Sequence, residues 1–128
     1  MAYNDFFGEI DNCLGVSPIG VMRHTVAGAG DPVVIYAVGA IPVSVTFVDA
    51  LVHCTATQGG GTFTIETAIG GAGAAAMTDA IVCAVIDVPT RAALMVAAQA
   101  VVGPADAVQV NKAAANNEGL VYLMFHLT

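Results

Sequence analysis

The chain is 128 residues long, 57% hydrophobic and 10% charged, with no tryptophan; that is one domain with ample apolar material for a core, which excludes disorder. Three cations, Arg23, Arg91 and Lys112, stand against ten carboxylates for a net charge of −7, too few and too scattered to displace counterions from a phosphate backbone, which argues against nucleic acid as a partner. An ordinary soluble domain carries about 25% charged residues, so this surface is unusually apolar and is expected to be covered in part by other subunits.

In chain order, the first signal is Phe6, Phe7, Ile10 and Leu14, spaced at roughly helical intervals, interrupted by Gly8 and set among Asp5, Glu9 and Asp11. Two readings stand side by side. These residues plug the end of the core, or they form an arm over 1–15 that anchors on a neighbouring protein, as aromatics clustered beside carboxylates do at interfaces. The acidic opening has neither the basic segment nor the apolar run of a secretory signal, so the chain is expected to stay in the cytoplasm after synthesis.

Residues 19–26 and 32–39 are short β-branched runs separated by Ala-Gly-Ala-Gly-Asp, and read as two strands. Next, Ile41, Val43, Val45 and Phe47 alternate with Pro42, Ser44 and Thr46; after that the apolar set becomes Val48, Ala50, Val52 and Cys54. The phase slip predicts a bulge or corner near Phe47 and Val48, or a tight turn at Asp49. The longest uncharged apolar run, 32–48, contains Pro32, Gly39 and Pro42 and falls short of the roughly 20 residues of a membrane span, so no transmembrane helix is expected. Gln58-Gly59-Gly60-Gly61 predicts a hairpin loop, followed by a strand over 62–67 with Phe63 and Ile65 inward.

Residues 68–77 form a small-residue connector, after which Thr78 or Asp79 is expected to cap a short helix over 80–86 that Val88-Pro89 stops. The stretch 91–102 mixes alanine with Leu94, Val96, Val101 and Val102, and is read as a strand, a helical turn and a second short strand. A turn over 103–106, a strand over 107–111, a loop over 115–119 and a last strand over 120–127 complete the chain. Many short strands joined by Gly-rich turns predict a mainly β fold: a jelly-roll-like β-sandwich with one short helix, forming a single domain over 16–128 behind the N-terminal arm.

Chemistry-bearing motifs are few. Gly71-Ala72-Gly73-Ala74-Ala75-Ala76 fits G-x-G-x-x-A, but only about 50 residues follow it where a dinucleotide fold needs more strands. His24, His53 and His126 lie in three separate strands without metal-ligand spacing, and His53 and Cys54 point to opposite faces of one strand. Cys13, Cys54 and Cys83 are an odd number at wide spacings and read as reduced, buried thiols. The carboxylates at 31, 49, 79, 87, 106 and 118 fall at loops or element ends, and without tryptophan there is no usual sugar-stacking platform beside them. No catalytic residue, metal ligand or cofactor is expected.

Four stretches carry a family resemblance: Ala40-Ile-Pro-Val-Ser-Val-Thr-Phe-Val-Asp-Ala-Leu-Val-His-Cys-Thr-Ala-Thr, Gly59-Gly-Gly-Thr-Phe-Thr-Ile-Glu-Thr, Met77-Thr-Asp-Ala-Ile-Val-Cys-Ala and Gly119-Leu-Val-Tyr-Leu-Met-Phe-His-Leu. Over about residues 33–128 the chain resembles small virion proteins of tailed bacteriophages, some of which are capsid decoration (cement) proteins with a jelly-roll or β-sandwich fold. The resemblance implies a homotrimer, or a similar oligomer, that folds in the host cytoplasm and docks on the capsid exterior. Its partner there would be the major capsid protein, and it would favour the expanded lattice by mass action. The family offers no catalytic residue to carry over. A different class is the receptor- or carbohydrate-binding module of a phage head fibre or tail spike, which aromatic clusters in loops would support; loops 28–31, 58–61, 70–76, 103–106 and 113–119 hold none. A small hydrolase, the third class, would need a convergent constellation that the sequence does not assemble.

Overall fold

Period-2 alternation of apolar and polar residues governs most of the chain, and an alternating strand is stable only when its apolar face meets another sheet. The computed structural model describes residues 19–26, 32–56, 61–82, 86–113 and 118–128. They form β1 (Gly20–Val26), β2 (Val33–Tyr36), β3 (Val45–Ala56), β4 (Thr62–Ala68), β5 (Ala75–Ala76), β6 (Ile81–Val82), β7 (Pro89–Arg91), α1 (Ala97–Ala100), β8 (Val101–Val102), β9 (Ala107–Lys112) and β10 (Glu118–Leu127).

Two antiparallel sheets result. The first, sheet A, runs β1-β10-β3-β7, with β8 also paired to β3; the second, sheet B, runs β2-β9-β4-β5, with β6 also paired to β4. The pairing is nested: β1 with β10, β2 with β9, β3 with β7 and β8, β4 with β5 and β6. One long hairpin folded at β4–β5 and rolled up gives this order, so the protein is a jelly-roll β-sandwich. Met22, Val45, Phe47, Val52, Val121, Leu123 and Phe125 of sheet A meet Phe63, Ile65, Val108 and Val110 of sheet B in the core. Phe47 and Phe125 pack edge to face at 6.4 Å.

The expected phase slip is a β-bulge. Met124 pairs with Asp49 and Phe125 with Phe47, so Val48 has no opposite number and turns outward while Ala50, Val52 and Cys54 face the core. The helical turn and second strand expected within 91–102 are present as α1 and β8, while the strand expected before them, β7, lies at 89–91 and reaches the stretch only with Arg91.

Three local expectations fail. β3 and β4, expected as the two arms of a hairpin across 58–61, do not pair, because β3 lies in sheet A and β4 in sheet B. The described start of 80–86 is not helical: Ile81 and Val82, both β-branched, pair with Phe63 and Thr62 as β6 and Ile81 is buried, while residues 83–85 lie outside the described residues. The one helix among the described residues is α1 instead. Val43 does not share the buried face of Ile41, Val45 and Phe47, because β3 begins only at Val45 and Val43 stays exposed. A fourth correction concerns redox state. Cys54 is not a reduced thiol; it is buried and disulfide-bonded.

Candidate interaction surface

Each sheet has one face in the core and one facing out, and the two outer faces differ in kind. On sheet B, Thr62, Thr64, Glu66, Gln109 and Asn111 point outward by alternation, and the Gln109 side-chain amide donates to Glu66 Oε1 at 2.7 Å. Val34, opposite Gln109, and Val82, opposite Thr62, are exposed on the same face, so it is mainly polar with one valine on each of β2 and β6.

Sheet A breaks the rule. The register places Val21 beside Met124 and Met124 beside Asp49; Arg23 beside Tyr122, then Leu51 and Arg91; and Thr25 beside Leu120, then His53 and Pro89. These three rows lie on the outer side, since Met22, Ala50, Val52, Val121 and Leu123 take the inner positions. The centre is apolar, from Val21, Met124, Tyr122, Leu51 and Leu120, and Val48 and Val101 extend it. Charged groups stand at its borders. Arg91 Nε binds Asp49 Oδ2 at 2.6 Å, and His53 Nε2 lies 3.0 Å from Asp87 Oδ1, where Asp87 holds a left-handed backbone at φ 64°. An apolar centre containing a tyrosine, bordered by arginines and ion pairs, is the anatomy of a protein–protein interface.

Other carboxylates hold loops in place. Asp106 Oδ1 accepts the Gly70 amide at 2.7 Å and its Oδ2 the Gly103 amide at 2.8 Å, joining the 70–71 turn, whose glycines both have positive φ, to the turn before β9. Asp79 Oδ1 accepts the amides of Ala93 at 2.9 Å and Leu94 at 3.2 Å. Thr67, fully buried in β4, donates its hydroxyl to Gln99 O at 2.7 Å and to Gln99 Oε1 at 2.9 Å, fastening α1 to sheet B.

The three histidines do not converge. His24 lies on the core side of β1 against Tyr36, ring centroids 5.8 Å apart, and burial lowers its pKa; the same burial pushes the Tyr36 phenol up. His53 and His126 face outward near opposite ends of β3 and β10, opposite Leu120 and Thr46 respectively. Among the described residues, no three of His, Cys, Asp and Glu come together as a metal site. Gly71 to Ala76 leads into β5 and not into a helix N-terminus, so that motif lacks the helix that would receive a phosphate. Phe6, Phe7, Ile10 and Leu14 lie outside the described residues.

Reading the sequence missed the sheet A face, although its signal is present. Residues 120–127, Leu-Val-Tyr-Leu-Met-Phe-His-Leu, are apolar at nearly every position of both parities, which one-sided burial does not require. Lys112 was also not foreseen as a core residue; it occupies an inward position of β9 opposite Phe63 and is 1% exposed.

No family model and no curated protein matches the chain. It is similar to a solved structure of the Yersinia pseudotuberculosis-derived mitogen, at 15% identity and a TM-score of 0.40 over 86% of each chain.

Proposed function

We propose that this chain is a capsid decoration protein of a tailed bacteriophage, a homotrimer that binds the outer head lattice on the major capsid protein and stabilises it. The observation that carries the reading is the apolar, arginine-bordered outer face of sheet A on a sandwich in which Asp79 and Asp106 accept backbone amides that hold loops; the sequence resemblance over 33–128 supports it. Such a molecule works through surfaces. Each bound copy ties neighbouring capsid subunits together, and occupancy at 100 times the dissociation constant adds about 2.7 kcal/mol per site to the bound lattice. Residues 1–15 serve as the docking arm, anchored through Phe6, Phe7, Ile10 and Leu14.

The test is co-sedimentation of the purified chain with heads that lack it, taken from the phage that encodes it. Saturable binding and a raised temperature of head disruption are expected. Heads that sediment without the chain, at the same disruption temperature, would overturn the reading. A variant with Phe6, Phe7, Ile10 and Leu14 replaced by serine is expected to keep its oligomeric mass and lose head binding at least tenfold; binding equal to the unaltered chain removes the arm from the proposal.

A further inference from the structure

We infer that the outer face of sheet A is where copies of this chain associate with one another, an assignment that rests on the self-association in the reading above and not on head binding. Charge selects the occupant. The chain carries −7 overall, so two copies repel through most of their surface. Both of its arginines, Arg23 and Arg91, nevertheless stand on this one face, against Asp49, Asp87 and, at the end of β10, Glu118. The face is close to neutral: Arg91 and Asp49 pair on the β7 side, where Asp87 also stands, and Arg23 is on the β1 side. Arg23 sits on β1, at one side of the sheet, while Asp49 and Asp87 sit towards β7 at the other. Copies around a closed ring can set the Arg23 side of one near the β7 side of the next, where Asp49, Asp87 and Arg91 leave one net negative charge, with apolar residues between them.

Size and composition agree. The 32 residues of β1, β10, β3 and β7, at about 3.4 Å per residue and 4.8 Å between strands, span on the order of 500 Å² before side-chain relief is counted. That is the same order as the ~800 Å² per partner of a stable association. At the centre, Tyr122 lies between Arg23 and Leu51 across the strands, with Leu120 and Met124 two residues away on either side along β10. Tyrosine and arginine are the residue types that concentrate binding energy. The outer face of sheet B has polar residues on its central strands, β9 and β4, and its exposed Val34 and Val82 stand apart on β2 and β6.

The experiment is the solution mass of the full chain by light scattering, without heads present. The unaltered chain is expected at an integer multiple of 12.9 kDa. Tyr122→Arg and, separately, Leu120→Lys are expected to shift it to the single-chain mass with an unchanged far-ultraviolet spectrum, while Thr64→Arg on sheet B leaves the multiple intact. A monomeric unaltered chain, a folded Tyr122→Arg or Leu120→Lys that keeps the multiple, or a Thr64→Arg that loses it as readily, overturns the assignment.

Should both sheet A variants unfold, oxidative footprinting of the unaltered chain decides. Met124 is expected to be labelled several-fold less above the association midpoint than below it, and equal labelling overturns the inference. If the single-chain mass appears and only removal of residues 1–15 lets an apolar dye bind, the face belongs to the chain's own N-terminal segment, which also overturns it. A chain that oligomerises through this face yet fails to bind heads leaves the inference standing and overturns the docking reading above.

Discussion

Asp106 shows how one side chain can hold two turns. Its carboxylate oxygens take the Gly70 and Gly103 amides, and the residue is 9% exposed, so water is poorly placed to substitute. Asp106→Ala strands both donors, and a buried amide left without an acceptor costs on the order of 1–3 kcal/mol. The expected loss is about 2 kcal/mol in urea unfolding, and Asp106→Asn, which keeps one carbonyl oxygen, is expected to lose less. His24 makes a pH prediction at the same scale. Burial lowers its pKa below the unfolded value of 6.5, so between those two values the unfolded chain binds a proton that the folded chain refuses. Its contribution is neutral above 6.5, and stability falls as the pH drops below it. Melting temperatures from pH 7.5 to 5 are expected to decline, and His24→Gln is expected to flatten that decline.

At the scale of elements, what was legible is what strand periodicity controls. The phase slip at Val48 was readable because a β-bulge shifts the inward set by one, and the inward set is spelled in apolar residues: Val45 and Phe47 before it, Ala50, Val52 and Cys54 after it. The segment after the small-residue connector was not readable. Asp79 precedes the short run Ala80-Ile-Val-Cys-Ala-Val-Ile in the position of a helix cap, yet its carboxylate accepts from Ala93 and Leu94, fourteen and fifteen residues on. Nothing local distinguishes a carboxylate that caps the next turn from one that receives a distant loop, and the pairing of Ile81 with Phe63 that settles the matter is non-local. The sheet A face was hidden differently, because strand propensity is indifferent to which of two apolar faces goes inward. Asp79→Ala is therefore expected to release the loop between β7 and α1. Global stability is expected to fall by about 1 kcal/mol, since these bonds are exposed. Amide exchange at 93 and 94 is expected to accelerate more than exchange in β3 or β10.

At the scale of the whole molecule, the disulfide at Cys54 changes the account most. An odd number of cysteines at spacings of 41 and 29 fits no dense framework, and the sequence argued for thiols; Cys54 is nevertheless cross-linked from an inward position of β3. Either of the other two cysteines closes a loop of several tens of residues through the central strand of sheet A. Loop-closure entropy depends only on the logarithm of that length, so a 30-residue and a 42-residue loop both correspond to about 4 kcal/mol of stabilisation at 25 °C. That figure is a large share of the 5–15 kcal/mol that holds a typical domain together. Reduction with excess dithiothreitol, or Cys54→Ala, is accordingly expected to lower the unfolding free energy by about 4 kcal/mol. The two treatments are not expected to add, since they remove the same bond. Equal denaturation midpoints for the oxidised and reduced chain would mean that the rolled-up sheets alone carry the fold. A drop larger than predicted, accompanied by loss of the oligomeric mass, would mean that the cross-link also holds sheet A in the shape its outer face needs.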